Sequence, residues 1–261
     1  MIMSLVRRVL PQHARTSIKR ALGLPTTRLD DDWSILRCIG PLERPHVVLD
    51  VGAHHGWFFH CWQDWCPDAR VHAFEPFPES FTAMAKQYGA DSRVTLCQAA
   101  VGDARGSLTL NVLTESKVSK SFLEPRAETW RRVGYPTGAI ETVTVPVTTI
   151  DAYVGEKQID RVYLLKIDVQ GYELHVLRGA IESLPRVDHI FVEAGIQRLY
   201  EGAPSFAEVF EFLTDRGFHL MTMRAWHRGN QALVETDMLF RRDELAPPGD
   251  PNRERYYLEF K

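Results

Sequence analysis

An α/β fold built on a largely parallel sheet is what this 261-residue sequence predicts, on three observations. From Pro45 onward, apolar runs alternate with helix-like segments, the pattern of a sheet covered on both faces. The first run, Val47-Val48-Leu49-Asp50-Val51, passes at once into a small-residue turn, Gly52-Ala53-His54-His55-Gly56. The next run, 70–74, closes on Glu75-Pro76. Strand, glycine turn, helix, strand, acid is the order of a nucleoside-binding half-domain.

The elements follow in sequence. Residues 1–24 read as a basic amphipathic helix or helix pair broken by Pro11, opening an N-terminal extension over 1–44. Leu5, Val6, Val9, Leu10 and Ile18 are apolar, and Arg7, Arg8, Arg15, Lys19 and Arg20 lie between them. Such a segment packs on its own domain or on a second subunit, giving a homo-oligomer, or docks peripherally on an anionic membrane. After the strand at 47–51 comes a helix through about Trp65, where Trp57, Phe58, Phe59 and Trp62 stand at helical spacing and read as core. Strand 70–74, a helix over 79–88 and strand 93–99 follow. Residues 107–112 and 142–147 alternate apolar with polar and read as antiparallel additions. Between them lies a loop of low apolar content, 114–139, with Ser116, Ser119, Ser121, Arg126, Trp130, Arg131, Arg132 and Tyr135. An insertion of this length suits a lid or a substrate wall. Strand 162–167, helix 172–184, strand 189–192 and helix 206–215 come next, then Gly217 as a C-cap signal and strand 218–223. A turn at Arg228-Gly229-Asn230 leads to strand 237–241, antiparallel to its predecessor. The domain spans 45–245, and a proline-bearing tail occupies 246–261.

Composition narrows the class. Charged residues at 25% and hydrophobic ones at 44% are ordinary for a soluble globular protein, and the length suits one large core. A net charge of -3 argues against a general nucleic-acid binder, which needs a basic face. Cys38, Cys61, Cys66 and Cys97 form no CxxC pair, so they read as reduced thiols of a cytoplasmic protein. No run approaches the ~20 apolar residues of a membrane span. Arg7, Arg8 and Pro11 interrupt any secretory apolar core at the N-terminus.

The turn selects the ligand. Dinucleotide folds use Gly-x-Gly-x-x-Gly, where helix-start amides receive a pyrophosphate. Here Gly52 and Gly56 stand four apart with no third glycine, and Asp50 before them would repel a diphosphate. S-adenosylmethionine fits better, being an adenosine without phosphate that carries a sulfonium and an ammonium. Asp50 would face that cationic end, the glycines would permit close approach, and Glu75 would accept the ribose hydroxyls.

A second block, Leu164-Leu165-Lys166-Ile167-Asp168-Val169-Gln170-Gly171-Tyr172-Glu173, runs on to Val176-Leu177-Arg178-Gly179-Ala180. Together with Asp50-Val51-Gly52-Ala53 and Phe74-Glu75-Pro76, it closely resembles the FkbM-type S-adenosylmethionine-dependent methyltransferases. Ala100-Val101-Gly102-Asp103, Thr149-Ile150-Asp151, Val192-Glu193 and Arg216-Gly217-Phe218 extend the match across about 47–241. The resemblance implies a class I methyltransferase (Rossmann-like) fold, seven-stranded with its last strand antiparallel. It also implies O-methylation of a hydroxyl on a sugar, glycolipid or natural product, with Gln98-Ala99-Ala100 lining the adenine and Gln98 or Asp103 as polar partner. The family commonly has asparagine after Gly-Ala, and here His54 stands there, followed by His55.

Four residues are candidates for the chemistry. Asp168 ends an apolar strand at the carboxyl edge of the sheet, where it can orient an acceptor hydroxyl and take its proton. The alternative for it is an N-cap of the helix from about Tyr172. Glu193, ending the neighbouring strand, would stand across from it as a second carboxylate. Lys166 is costly to bury without a partner and points to the same side as Asp168, suiting either a structural ion pair or a catalytic role. His54 is placed by the turn as a base or as a structural donor. Glu173, in the first turn of the helix, reads as a helix-dipole partner. Two facing acids raise a Mg2+ alternative, with metal-free transfer the expectation. The rival functions are a nicotinamide-dependent oxidoreductase of the same fold and a non-catalytic scaffold. Binding of NAD(H), or of no nucleoside at all, would favour those respectively.

Overall fold

The computed structural model describes residues 34–39, 46–114, 120–135, 138–227 and 233–245. The basic segment 1–24, the turn 228–230 and the tail 246–261 lie outside the described residues. In chain order, a 3-10 turn at Ser34–Ile39 precedes β1 (Val47–Val51), α1 (Trp57–Trp65), β2 (Arg70–Phe74), α2 (Pro78–Tyr88) and β3 (Val94–Cys97). Then come β4 (Ala100–Val101), β5 (Gly106–Leu113), β6 (Lys120–Ser121), α3 (Ala127–Val133), β7 (Ile140–Thr148) and α4 (Ile150–Glu156). The last part holds β8 (Val162–Ile167), α5 (Glu173–Arg178), β9 (Val187–Gly195), α6 (Phe206–Thr214), β10 (Phe218–His227) and β11 (Leu233–Arg242).

Seven strands form one sheet in the order β10-β11-β9-β8-β1-β2-β3. The β3-β2, β2-β1, β1-β8 and β8-β9 pairs are parallel. The last strand, β11, runs antiparallel to both β9 and β10, as the class I topology requires. Every residue of β8, Val-Tyr-Leu-Leu-Lys-Ile, is buried, which explains why the run lacks alternation: both its faces are covered. Leu49, Leu165, Ile167 and Ile190 belong to the core on one face, with Val176 and Leu213 from the covering helices. Val48, Leu164 and Phe191 belong to the core on the other, with Phe58, Phe59 and Trp62 of α1. A capping box fixes the start of α6, where Ser205 Oγ accepts the Glu208 N–H and Glu208 accepts the Ser205 N–H. Gly217, at φ 78°, turns the chain from α6 into β10, the position where the sequence signals a C-cap.

Several elements differ from expectation, among them α4, which the apolar periodicity does not announce. The strands at 107–112 and 142–147 are antiparallel, and they pair with each other in a separate four-stranded sheet, β4-β7-β5-β6. The interval 114–139 is not an unbroken loop: it carries β6 and α3, whose Trp130 and Val133 are buried with Leu199, Tyr200 and Val234. The helix expected over 172–184 stops at Arg178 with Gly179 as its C-cap, where a Cβ would lie 2.0 Å from the Gly102 carbonyl oxygen. No helix among the described residues is long and apolar enough to cross a membrane.

Candidate active site

The C-terminal ends of β1, β2 and β8 open onto one cavity of about 280 Å³, walled also by the turn after β3 and by the small sheet. The turn after β1 is pinned to β2: the N–H groups of Gly52 and Ala53 both donate to the Phe74 carbonyl, at 3.1 and 2.9 Å. Gly52 adopts φ 79°, and a Cβ there would lie 1.9 Å from the Asp168 carbonyl oxygen. Its bareness therefore admits the end of β8, in addition to any ligand. Gly56, at φ 78°, starts α1 against the rings of Phe59 and Tyr88 and is not among the cavity-lining residues. Ala53 and His54 do line it.

His54 takes the left-handed conformation, φ 51°, a region that asparagine and histidine tolerate better than most residues. That conformation aims its N–H at Glu75 Oε2, 2.8 Å away. The other carboxylate oxygen, Oε1, accepts the Phe77 N–H at 2.9 Å. Glu75 is thus buried with its rotamer fixed, at the cavity wall beside Pro76. Ala99 and Ala100 line the adjoining wall with Phe74 and Val101. Gln98 is exposed and outside the lining, while Asp103 turns away to bond His175 Nδ1 at 2.8 Å.

Asp50 sits beneath the cavity. It is fully buried and faces Lys166 directly across the β1-β8 ladder, Nζ to Oδ1 3.1 Å. Lys166 also donates to the Gly52 carbonyl at 2.8 Å and stands 3.7 Å from Asp168 Oδ2. Burial raises the proton affinity of Asp50 against the opposing pull of Lys166. The cavity therefore meets Lys166, and Asp50 reaches it only through that ammonium. Asp168 lines the cavity and caps no helix; the N-cap position of α5 is Tyr172.

Behind Asp168 the structure gathers acids. Gln170 Nε2 donates to Asp168 Oδ1 at 3.2 Å and to Glu193 Oε2 at 2.7 Å, so a side-chain amide occupies the space between the two carboxylates. The Tyr200 hydroxyl donates to Gln170 Oε1 at 3.2 Å and so orients that amide. Among the described residues, no group of three or more His, Cys, Asp or Glu is arranged to hold a metal. Burial, then the crowding of Asp168, Glu235, Asp237 and Glu173, holds the Glu193 carboxyl well above the ordinary range. Burial also pushes Asp237 up to about 7, despite the indole N–H of Trp226 at 2.7 Å.

Glu173 stands in the first turn of α5, as expected, and is buried there; its Oε1 accepts the N–H groups of Gly171 and Val169 at 2.9 and 3.3 Å. Burial raises its pKa from 4.5 to about 7. The folded chain thus holds a proton that the unfolded chain releases, so this contribution is full below about pH 4.5 and is lost as pH rises through 7. Glu173→Gln, which mimics the protonated acid, is expected to stabilise the protein at pH 8 by on the order of 3 kcal/mol and to be neutral near pH 4.5. Urea unfolding of both proteins at the two pH values checks this; equal gains at both would refute it.

Several cavity residues escape the sequence pattern. Trp57, half exposed, stands at the rim and not in the core with Phe58, Phe59 and Trp62. Leu110 of β5, Lys120 of β6 and Phe122 reach the cavity from the small sheet, and Gln170 from the loop after β8.

Comparison with known proteins bears on this arrangement. Residues 50–220, which contain the turn, Glu75, Asp168 and Glu193, match the family model described as the methyltransferase FkbM domain. The 2-O-methyltransferase NoeI of Sinorhizobium fredii (strain NBRC 101917 / NGR234) is 27% identical over 215 residues, covering 78% of this chain and 83% of that protein. The 31-O-demethyl-FK506 methyltransferase FkbM of Streptomyces tacrolimicus is 28% identical over 194 residues, covering 66% and 72%. Among solved structures, M. capricolum TrmK in complex with S-adenosyl-homocysteine aligns at a TM-score of 0.45 and 6% identity, over 77% of this chain and 64% of that one. With the family model spanning the cavity-forming strands from the end of β1 to the start of β10, the chain belongs to the FkbM methyltransferase family.

Proposed function

We propose that this chain transfers a methyl group from S-adenosylmethionine to a hydroxyl of a small-molecule, glycan or glycolipid acceptor, with Asp168 as the proton acceptor. The observation that carries this reading is that Glu75 and Asp168 line a single cavity at the carboxyl edge of the sheet. A carboxylate with both oxygens anchored by backbone N–H groups suits a ribose diol, and the apolar surface of Phe74, Ala99, Ala100 and Val101 suits a purine. The two lysines that line the cavity each stand beside a carboxylate, a balance that favours a cationic nucleoside over a diphosphate. Its volume lies near the lower end of the ~300–1,000 Å³ typical of small-molecule sites.

S-adenosylmethionine supplies, when bound, an electrophilic methyl group on a sulfonium. The protein's part is alignment and exclusion of water. As the acceptor oxygen gains the methyl group it gives up its proton, and Asp168, about one third exposed, is positioned to take that proton and pass it to solvent. Glu193, its carboxyl held well above the ordinary range by burial and the neighbouring acids, stands behind the Gln170 amide and does not line the cavity, which leaves Asp168 as the acid beside the acceptor. Both relatives are named as O-methyltransferases, at a 2-O and a 31-O position, which supports an alcohol acceptor. Calorimetry with S-adenosylhomocysteine tests the nucleoside site, and label from methyl-tritiated cofactor tests the transfer into extracted glycans, glycolipids and small molecules. Binding with label in one alcohol-bearing fraction is expected. An absence of heat with S-adenosylhomocysteine would overturn the reading.

A further inference from the structure

The small sheet delivers a lysine to the cofactor wall. Lys120 belongs to the two-residue strand β6 and is buried, an expensive position for an ammonium unless it has work or partners there. Its Nζ donates to Ser80 Oγ at 2.7 Å, lies 4.7 Å from the centre of the Phe77 ring, and stands 3.7 Å from Glu75 Oε1. Ser80 and Phe77 belong to α2 and the turn leading into it, so three parts of the chain meet at this ammonium. The separation from Glu75 is that of an ion pair, wider than a hydrogen bond. An alcohol is both donor and acceptor, and an ammonium carries three donors. A hydroxyl beside this pair could therefore donate to Glu75 and accept from Lys120 at once.

Resting on the nucleoside reading of the cavity, we infer that Lys120 is a cofactor-binding residue that, with Glu75, forms a donor–acceptor pair for the ribose hydroxyls. The insertion that carries β6 then completes the cofactor site besides walling the acceptor side. The neighbouring Ser121 supports this placement of β6, since its Oγ donates to the Gln170 carbonyl at 2.7 Å and fixes the strand across the cavity.

The test is calorimetry of wild type, Lys120→Met and Lys120→Arg with S-adenosylhomocysteine and with its 2′,3′-dideoxy analogue. Wild type is expected to prefer the natural ligand at least tenfold, Lys120→Met to lose most of that preference, and Lys120→Arg to restore part of it. A purely structural lysine would weaken both ligands equally and leave their ratio unchanged, and that result overturns the inference. Thermal unfolding of the free proteins accompanies it; should Lys120→Met not fold, the ratio for Lys120→Arg and for Ser80→Ala, each expected to be reduced, decides the matter. Failure of wild type to bind S-adenosylhomocysteine would instead refute the nucleoside site itself.

Discussion

Asp168→Ala is expected to lower methyl transfer by about 10²–10⁴-fold while leaving affinity for S-adenosylhomocysteine close to that of the wild type. The size follows from general-base catalysis: an alcohol is a poor nucleophile, and a positioned carboxylate that removes its proton as the oxygen attacks supplies that range. The separation of the two effects follows from geometry. Asp168 touches the cavity at the end of β8, whereas the ribose-binding candidate, Glu75, ends β2 and is held by His54 and Phe77 rather than by anything on β8. Gln170 would lose one of its two carboxylate acceptors in the variant and keep Glu193, so the loop after β8 remains anchored. Asp168→Asn is the stricter control, because it keeps the shape and removes the base. A tritium-transfer assay and calorimetry on the same preparations give both quantities. Wild-type turnover in Asp168→Asn would eliminate the proposed role.

The largest effect on stability is expected from Lys166→Met. Asp50 is fully buried, and Lys166 faces it from the neighbouring strand at 3.1 Å. Removing the ammonium strands a carboxylate in the core and also takes a donor from the Gly52 carbonyl. Breaking one side of a buried pair typically costs about 3–5 kcal/mol, a large part of a domain's net stability of roughly 5–15 kcal/mol. Adding Asp50→Asn removes the orphaned charge, so the double variant should recover much of the loss. Urea denaturation of the wild type, both single variants and the double variant measures the coupling. A Lys166→Met protein as stable as wild type, or a double variant no better than it, would show that the pair is not what holds β1 to β8 at this level.

How much of this was legible follows from which forces act locally. The strands β1 and β8 read correctly from their apolar runs, since a strand covered on both faces has no room for alternation. The alternation of β5 and β7 marks them as antiparallel additions, but not their pairing with each other in a second sheet, because local patterning does not say which edge a strand will join. Glu75 and Asp168 could be placed at the cavity because each terminates such a run. Lys120 could not, because it lies in a polar interval and its partners, Ser80 and Glu75, are distant in sequence. Trp57 stands one position from Phe58 on α1, and helical spacing alone does not tell a rim from a core. The acid before the glycine turn suggests by position alone a side chain facing a ligand; the register that sets Asp50 opposite Lys166 pairs it with that ammonium instead.

The contact between Gly52 and the Asp168 carbonyl reaches beyond stability. The main-chain bond from the Asp168 N–H to the Val51 carbonyl, at 3.1 Å, welds the same two strand tips. The turn after β1 and Asp168 are thereby registered to one another by main-chain architecture. Diversification is then free to act on the excursions above the rim: exchanging 123–139 for the corresponding stretch of a relative, with Lys120 and Ser121 of β6 retained, should redirect which alcohol is modified without disturbing the nucleoside end of the cavity.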